Sequence, residues 1–206
     1  FAQPQWGNLF IQDETGGIGS WPWLKGCEAK AGDEVEFEGT TEQTGFGPGL
    51  RPSKVTVRGK GQFPAPLKHT LSYMLTGRDD AQWVEIEGIV RRFTTQNLHL
   101  MTEGGEVIIW VADFGDLRPE SLIDAAVRVR GVCVPKWNDR NQIVAIRIVT
   151  TSQNQLHVLQ AAPADAFAIP VSALADLMGY NPDGSGLGAR SHRVKVRGVV
   201  SFQTDS

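Results

Sequence analysis

The chain of 206 residues has only two cysteines, Cys27 and Cys133. Neither stands in a Cys-x-x-Cys pair or beside a histidine at ligand spacing, so no metal site is expected. They fall in different parts of the chain, which leaves open one bridge in an oxidising compartment or two buried thiols. No run approaches the ~18–20 consecutive apolar residues of a membrane helix, and no charged-then-apolar leader opens the chain. The first residue is not methionine and falls inside a β-unit, so the chain is expected to be a piece of a longer or processed protein. An excess of positive charge is also lacking: 20 Lys and Arg against 23 Asp and Glu give a net charge of −3. That balance argues against a domain whose main task is to neutralise nucleic-acid phosphates. The four histidines, at 69, 99, 157 and 192, are scattered, and neither His-Glu-x-x-His nor Gly-x-Ser-x-Gly occurs. No catalytic residue and no cofactor are expected.

What the chain does have is strands. Val35-Glu-Phe-Glu-Gly39, Val84-Glu-Ile-Glu-Gly88, Val127-Arg-Val-Arg-Gly131 and Val194-Lys-Val-Arg-Gly198 each alternate apolar and charged residues and close on glycine. Period two is that of a half-buried strand, and the glycine admits a bulge or sharp coil. Asp13-Glu14, just before Gly16-Gly17, reads as turn chemistry between two short strands, not as an acid–base pair. Gly45-x-Gly47-x-Gly49 is followed by Pro52 and a strand, so it reads as a connecting loop and not a phosphate cradle.

The order in the middle of the chain is Trp83–Phe93, Leu98–Met101, Glu106–Val111, a helical stretch within Arg118–Asp124, Ala126–Val134 and Gln142–Val149. Five strands with a helix between the third and fourth is the order of an OB-fold, a small Greek-key barrel. The amino-terminal part supplies Leu9–Gln12, Ile18–Trp21, Glu34–Thr40 and Ser53–Arg58, which is the same unit without its first strand. The fold class expected is therefore all-β, with tandem five-stranded OB-like barrels and short helices in the connections. Residues 1–60 form an OB-like unit lacking strand one, 61–81 a linker, 82–160 a complete unit, 161–192 a second linker, and 193–206 an isolated first strand. Both linkers carry a Pro-Ala element and a helical stretch, Leu67–Leu75 and Val171–Met178. Gly88 and Gly198 lie 110 residues apart, the period of the array.

The strings Leu9–Ile18, Asp80–Val90 and Ala126–Val132 resemble tandem OB-like extracytoplasmic regions at the amino end of some bacterial sensor histidine kinases and related signalling proteins. The resemblance implies a non-enzymatic sensory or scaffolding module, located in the periplasm or outside the cell. It brings no catalytic residue to this chain.

Two kinds of partner follow. Aromatics in turns suit a small ligand or glycan, with Trp23 of Trp21-Pro22-Trp23, and Trp137 and Arg140 of Lys136-Trp-Asn-Asp-Arg140, as candidate binding residues. The same tryptophan-plus-arginine set is the rival reading, a single-stranded nucleic-acid site; but Arg128 and Arg130 occupy positions that Glu36, Glu38, Glu85 and Glu87 fill elsewhere, as solvated strand positions do. The second partner is protein, including a copy of the same chain. Arg193–Gln203, through Val194, Val196, Val199 and Phe202, is expected to supply the strand that the amino-terminal unit lacks, within the chain or between chains as a ring or filament.

Overall fold

The structure is a computed structural model that describes residues 2–3, 8–20, 27–44, 47–165, 167–175 and 193–203. It is mostly β. In chain order the strands are β1 (Ala2–Gln3), β2 (Asn8–Gln12), β3 (Gly17–Ser20), β4 (Asp33–Gln43), β5 (Pro48–Lys60), β6 (Trp83–Thr94), β7 (Asn97–Thr102), β8 (Gly105–Val111), β9 (Ala126–Trp137), β10 (Ile143–Thr150), β11 (Leu156–Gln160), β12 (Val171–Ser172) and β13 (Lys195–Val196). A short helix, α1 (Leu71–Met74), and the 3₁₀ turns Pro119–Leu122 and Gln153–Gln155 interrupt them.

The larger sheet has the order β10-β8-β7-β6-β9-β11 and an additional β10–β9 pairing. β6, β7 and β8 form an antiparallel meander. β10 then runs parallel to β8, and β9 bridges β10 to β6. The pairings thus run in a circuit. Inside lie Val84, Ile86, Val90, Leu98, Leu100, Val107, Ile109, Val127, Val129, Ile146 and Ile148, all buried. Alternation puts these side chains inward and the charged ones outward, as period two requires.

Glycine is needed where strands cross most closely. A Cβ on Gly88 would collide with the carbonyl of Met101 on β7, and one on Gly131 would stand 2.6 Å from the carbonyl of Val149 on β10. The turn at Gly104-Gly105 takes positive φ at both residues, which glycine adopts without steric cost.

The second sheet has the order β1-β2-β3-β5-β4. Its β2–β3 pair is antiparallel, β3–β5 parallel and β5–β4 antiparallel, which repeats the β7-β8-β10-β9 order. Gly39 also repeats Gly131, since a Cβ there would meet the carbonyl of Arg51 on β5. Among the described residues, the place that β6 holds in the first sheet is taken only by β1, two residues paired to Leu9 and Asn8.

Several expectations change in detail. The linker helix shrinks to Leu71–Met74, because Leu67 instead makes a parallel bridge to Val84. Val171–Ser172, expected in a helix, pair in parallel with Lys195–Val196. The remainder of that helical stretch from residue 176 lies outside the described residues. Arg193–Gln203 pairs as a strand only at Lys195–Val196, since a strand needs a neighbour's backbone to complete its ladder. β11 was not foreseen; Leu156–Gln160 pairs with Ala126–Val129. Both cysteines are free thiols, Cys133 buried and Cys27 partly exposed. Burial pushes the Cys133 thiol up from its ordinary range.

Candidate functional site

The site begins with an edge. β4 is 11 residues long and lies at the end of its sheet, and among the described residues no strand pairs with its outer side. A long unpaired edge presents a row of free N–H and C=O groups and is a template for another chain. Val35 and Phe37 on β4 are half-buried on the inner face, while Glu36 and Glu38 are exposed on the outer. Glu36 pairs with Arg58 on β5, and Glu38 with Lys54 at 2.6 Å. The carboxylate of Glu38 raises the Lys54 pKa, by its hydrogen bond first and its charge second.

Behind the edge is a cavity of about 700 Å³. Leu9, Phe10, Ile18, Val35 and Phe37 line it from the amino-terminal sheet, and Trp83 from the other. Its floor is the junction of the two sheets. Phe10 clusters with Ala81, Trp83 and Val132, and Phe63 stacks on Trp83 with centroids 4.7 Å apart. Gln12 Oε1 accepts from the Trp83 backbone N–H at 2.7 Å, and Gly17 lies against the carbonyl of Ala81. The junction is therefore packed and hydrogen-bonded, and the space above it is the part left unfilled. In the first sheet the equivalent interior holds the side chains of β6; here, among the described residues, no strand supplies them.

The carboxy-terminal segment carries apolar side chains into solvent. Val194 and Val196 are 40% and 43% exposed, Val199 96%, Val200 77% and Phe202 81%. Arg193 anchors the segment, donating to Asp124 at 2.5 Å and standing over the Phe167 ring at 5.3 Å.

Of the residues nominated for ligand binding, two fall among the described residues, both at the turn between β9 and β10. Trp23 lies outside the described residues. Trp137 ends β9, across from Ile143, and Arg140 is exposed in the turn that follows, its backbone N–H donating to Asn138 Oδ1 at 2.9 Å. Neither lines the cavity. Asp13 closes a turn, its Oδ1 accepting from the N–H groups of Thr15 and Gly16 and from the Thr15 hydroxyl. Those hydrogen bonds hold its carboxyl below the usual range.

Two histidines have local carboxylate partners. His69 Nδ1 lies 3.0 Å from buried Asp79, and His99 Nδ1 lies 2.9 Å from Glu106. Each is a pair spanning neighbouring segments; the His99 ring also meets the Thr94 hydroxyl at 3.1 Å through Nε2 and the Arg92 guanidinium at 3.1 Å at Nδ1. Among the described residues no group of three or more His, Cys, Asp or Glu could hold a metal, and no helix is long and apolar enough to cross a membrane.

No sequence pattern marks the cavity. Phe10, Phe37, Phe63 and Trp83 come from four segments, and no spacing links them. Comparison with protein-family models and with curated proteins finds no match to this chain.

Proposed function

We propose that this chain is a non-enzymatic protein-interaction module built of OB-like units, whose amino-terminal unit is completed by an added β-strand. The observation that carries the reading is the contrast between two sheets of the same strand order. In one, β6 lies between β7 and β9 and fills the interior; in the other, no strand among the described residues takes the corresponding place beside β4, which borders a cavity. Strand addition supplies backbone hydrogen bonds for affinity and pockets for alternate side chains for specificity, and both halves are present here. An extracytoplasmic setting and a sensory or scaffolding role are part of this proposal, on the sequence resemblance given above. Trp137 is half-buried, Arg140 is exposed and neither lines the cavity, which favours protein over nucleic acid as the partner of the open sheet.

The test is to add a synthetic peptide of residues 193–203 to a chain truncated after Ala189 and follow binding by calorimetry. Saturable binding with a rise in Tm is expected. Absence of binding, with the truncated chain folded by circular dichroism, would overturn the reading.

A further inference from the structure

We infer that the strand taken by β4 is Arg193–Gln203 of a second copy of this chain, bound antiparallel with Lys195 opposite Glu38 and Arg197 opposite Glu36. The inference rests on the strand-addition reading and names its partner and register.

The register comes from the complete unit. There, Val84 stands opposite Gly131, Glu85 opposite Arg130, Ile86 opposite Val129, Glu87 opposite Arg128 and Gly88 opposite Val127. Gly39 occupies the place of Gly131, as its approach to the strand-five carbonyl shows, so Val35-Glu-Phe-Glu-Gly39 stands for Val127-Arg-Val-Arg-Gly131. Val194-Lys-Val-Arg-Gly198 stands in the same way for Val84-Glu-Ile-Glu-Gly88. Placing one on the other sets Val194 opposite Gly39, Lys195 opposite Glu38, Val196 opposite Phe37 and Arg197 opposite Glu36. Every charge then meets its opposite.

The signs are exchanged relative to the complete unit. In β6 and β9 the first strand is acidic and the fourth basic: Glu85 accepts from Arg130 at 2.7 Å and Glu87 from Arg128 at 2.7 Å. In the carboxy-terminal segment and β4, the first strand is basic and the fourth acidic. Lys195 and Arg197 would face Arg130 and Arg128 if they displaced β6, so the segment is excluded from its own complete unit and matched to the open one. Cross-strand opposite charges stabilise a pair and like charges oppose it, which makes this a selective device.

The segment is also already set up as a first strand. In the complete unit, Leu67 of the linker accepts from Glu85 N–H and donates to the Trp83 carbonyl, covering one edge of β6 while β9 takes the other. Val171–Ser172 of the second linker covers one edge of Lys195–Val196 in the same parallel sense, at a position equivalent to within one residue. A proline, Pro66 or Pro170, precedes each. The edge of Lys195–Val196 left over is the one that β9 occupies on β6. Gly198 fits as well: its equivalent Gly88 has no room for a Cβ beside β7, whereas a Cβ on Gly198 would meet only Leu174 at 3.7 Å. Its equivalent neighbour is absent until a second copy supplies β2. Val194, Val196 and Val200 then take the places of Val84, Ile86 and Val90, all buried, and enter the cavity. Because donor and acceptor are different surfaces of one chain, the contact is heterologous and propagates as a filament or closes as a ring.

The test is a charge exchange in the full chain, read by light scattering across a concentration series. The E36K/E38K and K195E/R197E variants are each expected to self-associate at least roughly tenfold more weakly than the natural chain. Mixed one to one, they restore association, since each then offers the other a matched strand and edge. Circular dichroism of each variant alone checks that β4 and β5 still fold. Association that survives either reversal, or that mixing does not restore between folded variants, would overturn the register. If truncation after Ala189 abolishes association but charge reversal does not, strand addition stands and this pairing falls. A chain that is monomeric at every concentration and destabilised by truncation would overturn the second copy as donor.

Discussion

Arg130 on β9 stands directly across from Glu85 on β6 and donates to its carboxylate at 2.7 Å, with Lys68 of the linker at 3.0 Å on the other side. Glu85 is buried. Burial alone would raise its pKa, but the hydrogen bonds and charges of Arg130 and Lys68 outweigh it and hold the carboxyl below its ordinary value of 4.5. A carboxylate whose folded pKa is depressed adds stability that is present above its unfolded pKa and lost as pH falls through the folded one. Glu85→Gln is therefore expected to lower stability by about 2 kcal/mol at pH 7, with a smaller difference from the natural chain below roughly pH 4, measured by urea unfolding at both.

Trp83 carries the junction between the sheets through Phe10, Val132 and Phe63. Removing a buried indole costs about 3–5 kcal/mol. Trp83→Ala should lower the unfolding free energy by that order; an unchanged Tm would show that the junction contributes nothing.

Gly198 and Gly131 give a paired prediction. Gly131→Val places a branched side chain against the Val149 carbonyl and is expected to destabilise the folded chain by about 2–3 kcal/mol. Gly198→Val makes only ordinary contact with Leu174 in the single chain, so its Tm should be unchanged at low concentration while self-association weakens. Equal effects of the two on Tm would contradict the placement of Gly198 in an intermolecular strand.

Trp137 and Arg140 test the rival nucleic-acid reading. Replacing both with alanine should leave assembly unaffected, and the natural chain should show no salt-dependent binding to single-stranded DNA in fluorescence anisotropy. Binding that falls with salt and disappears in the double variant would favour the rival.

The strands were legible because period-two alternation and glycine mark them locally. Val84-Glu-Ile-Glu-Gly88 and Val127-Arg-Val-Arg-Gly131 pair as their patterns suggest, and their opposite charges meet. The linkers were less legible. Leu67 and Val171 look helical by composition, yet each extends to cover the edge of a following strand, a tertiary contact that overrides local propensity. β11 was missed because Leu156–Gln160 has one buried residue and no alternation to display. The cavity was beyond reach for another reason: it is defined by what β4 lacks, and an empty place in a sheet has no residues to read.

The central claim is that Arg193–Gln203 completes the open sheet of another copy. The measurement that tests it most directly is molar mass by light scattering, for the full chain and for a chain truncated after Ala189, over a hundredfold range of concentration. The account predicts mass that rises with concentration for the full chain and stays monomeric after truncation. Identical, concentration-independent masses for both would contradict it.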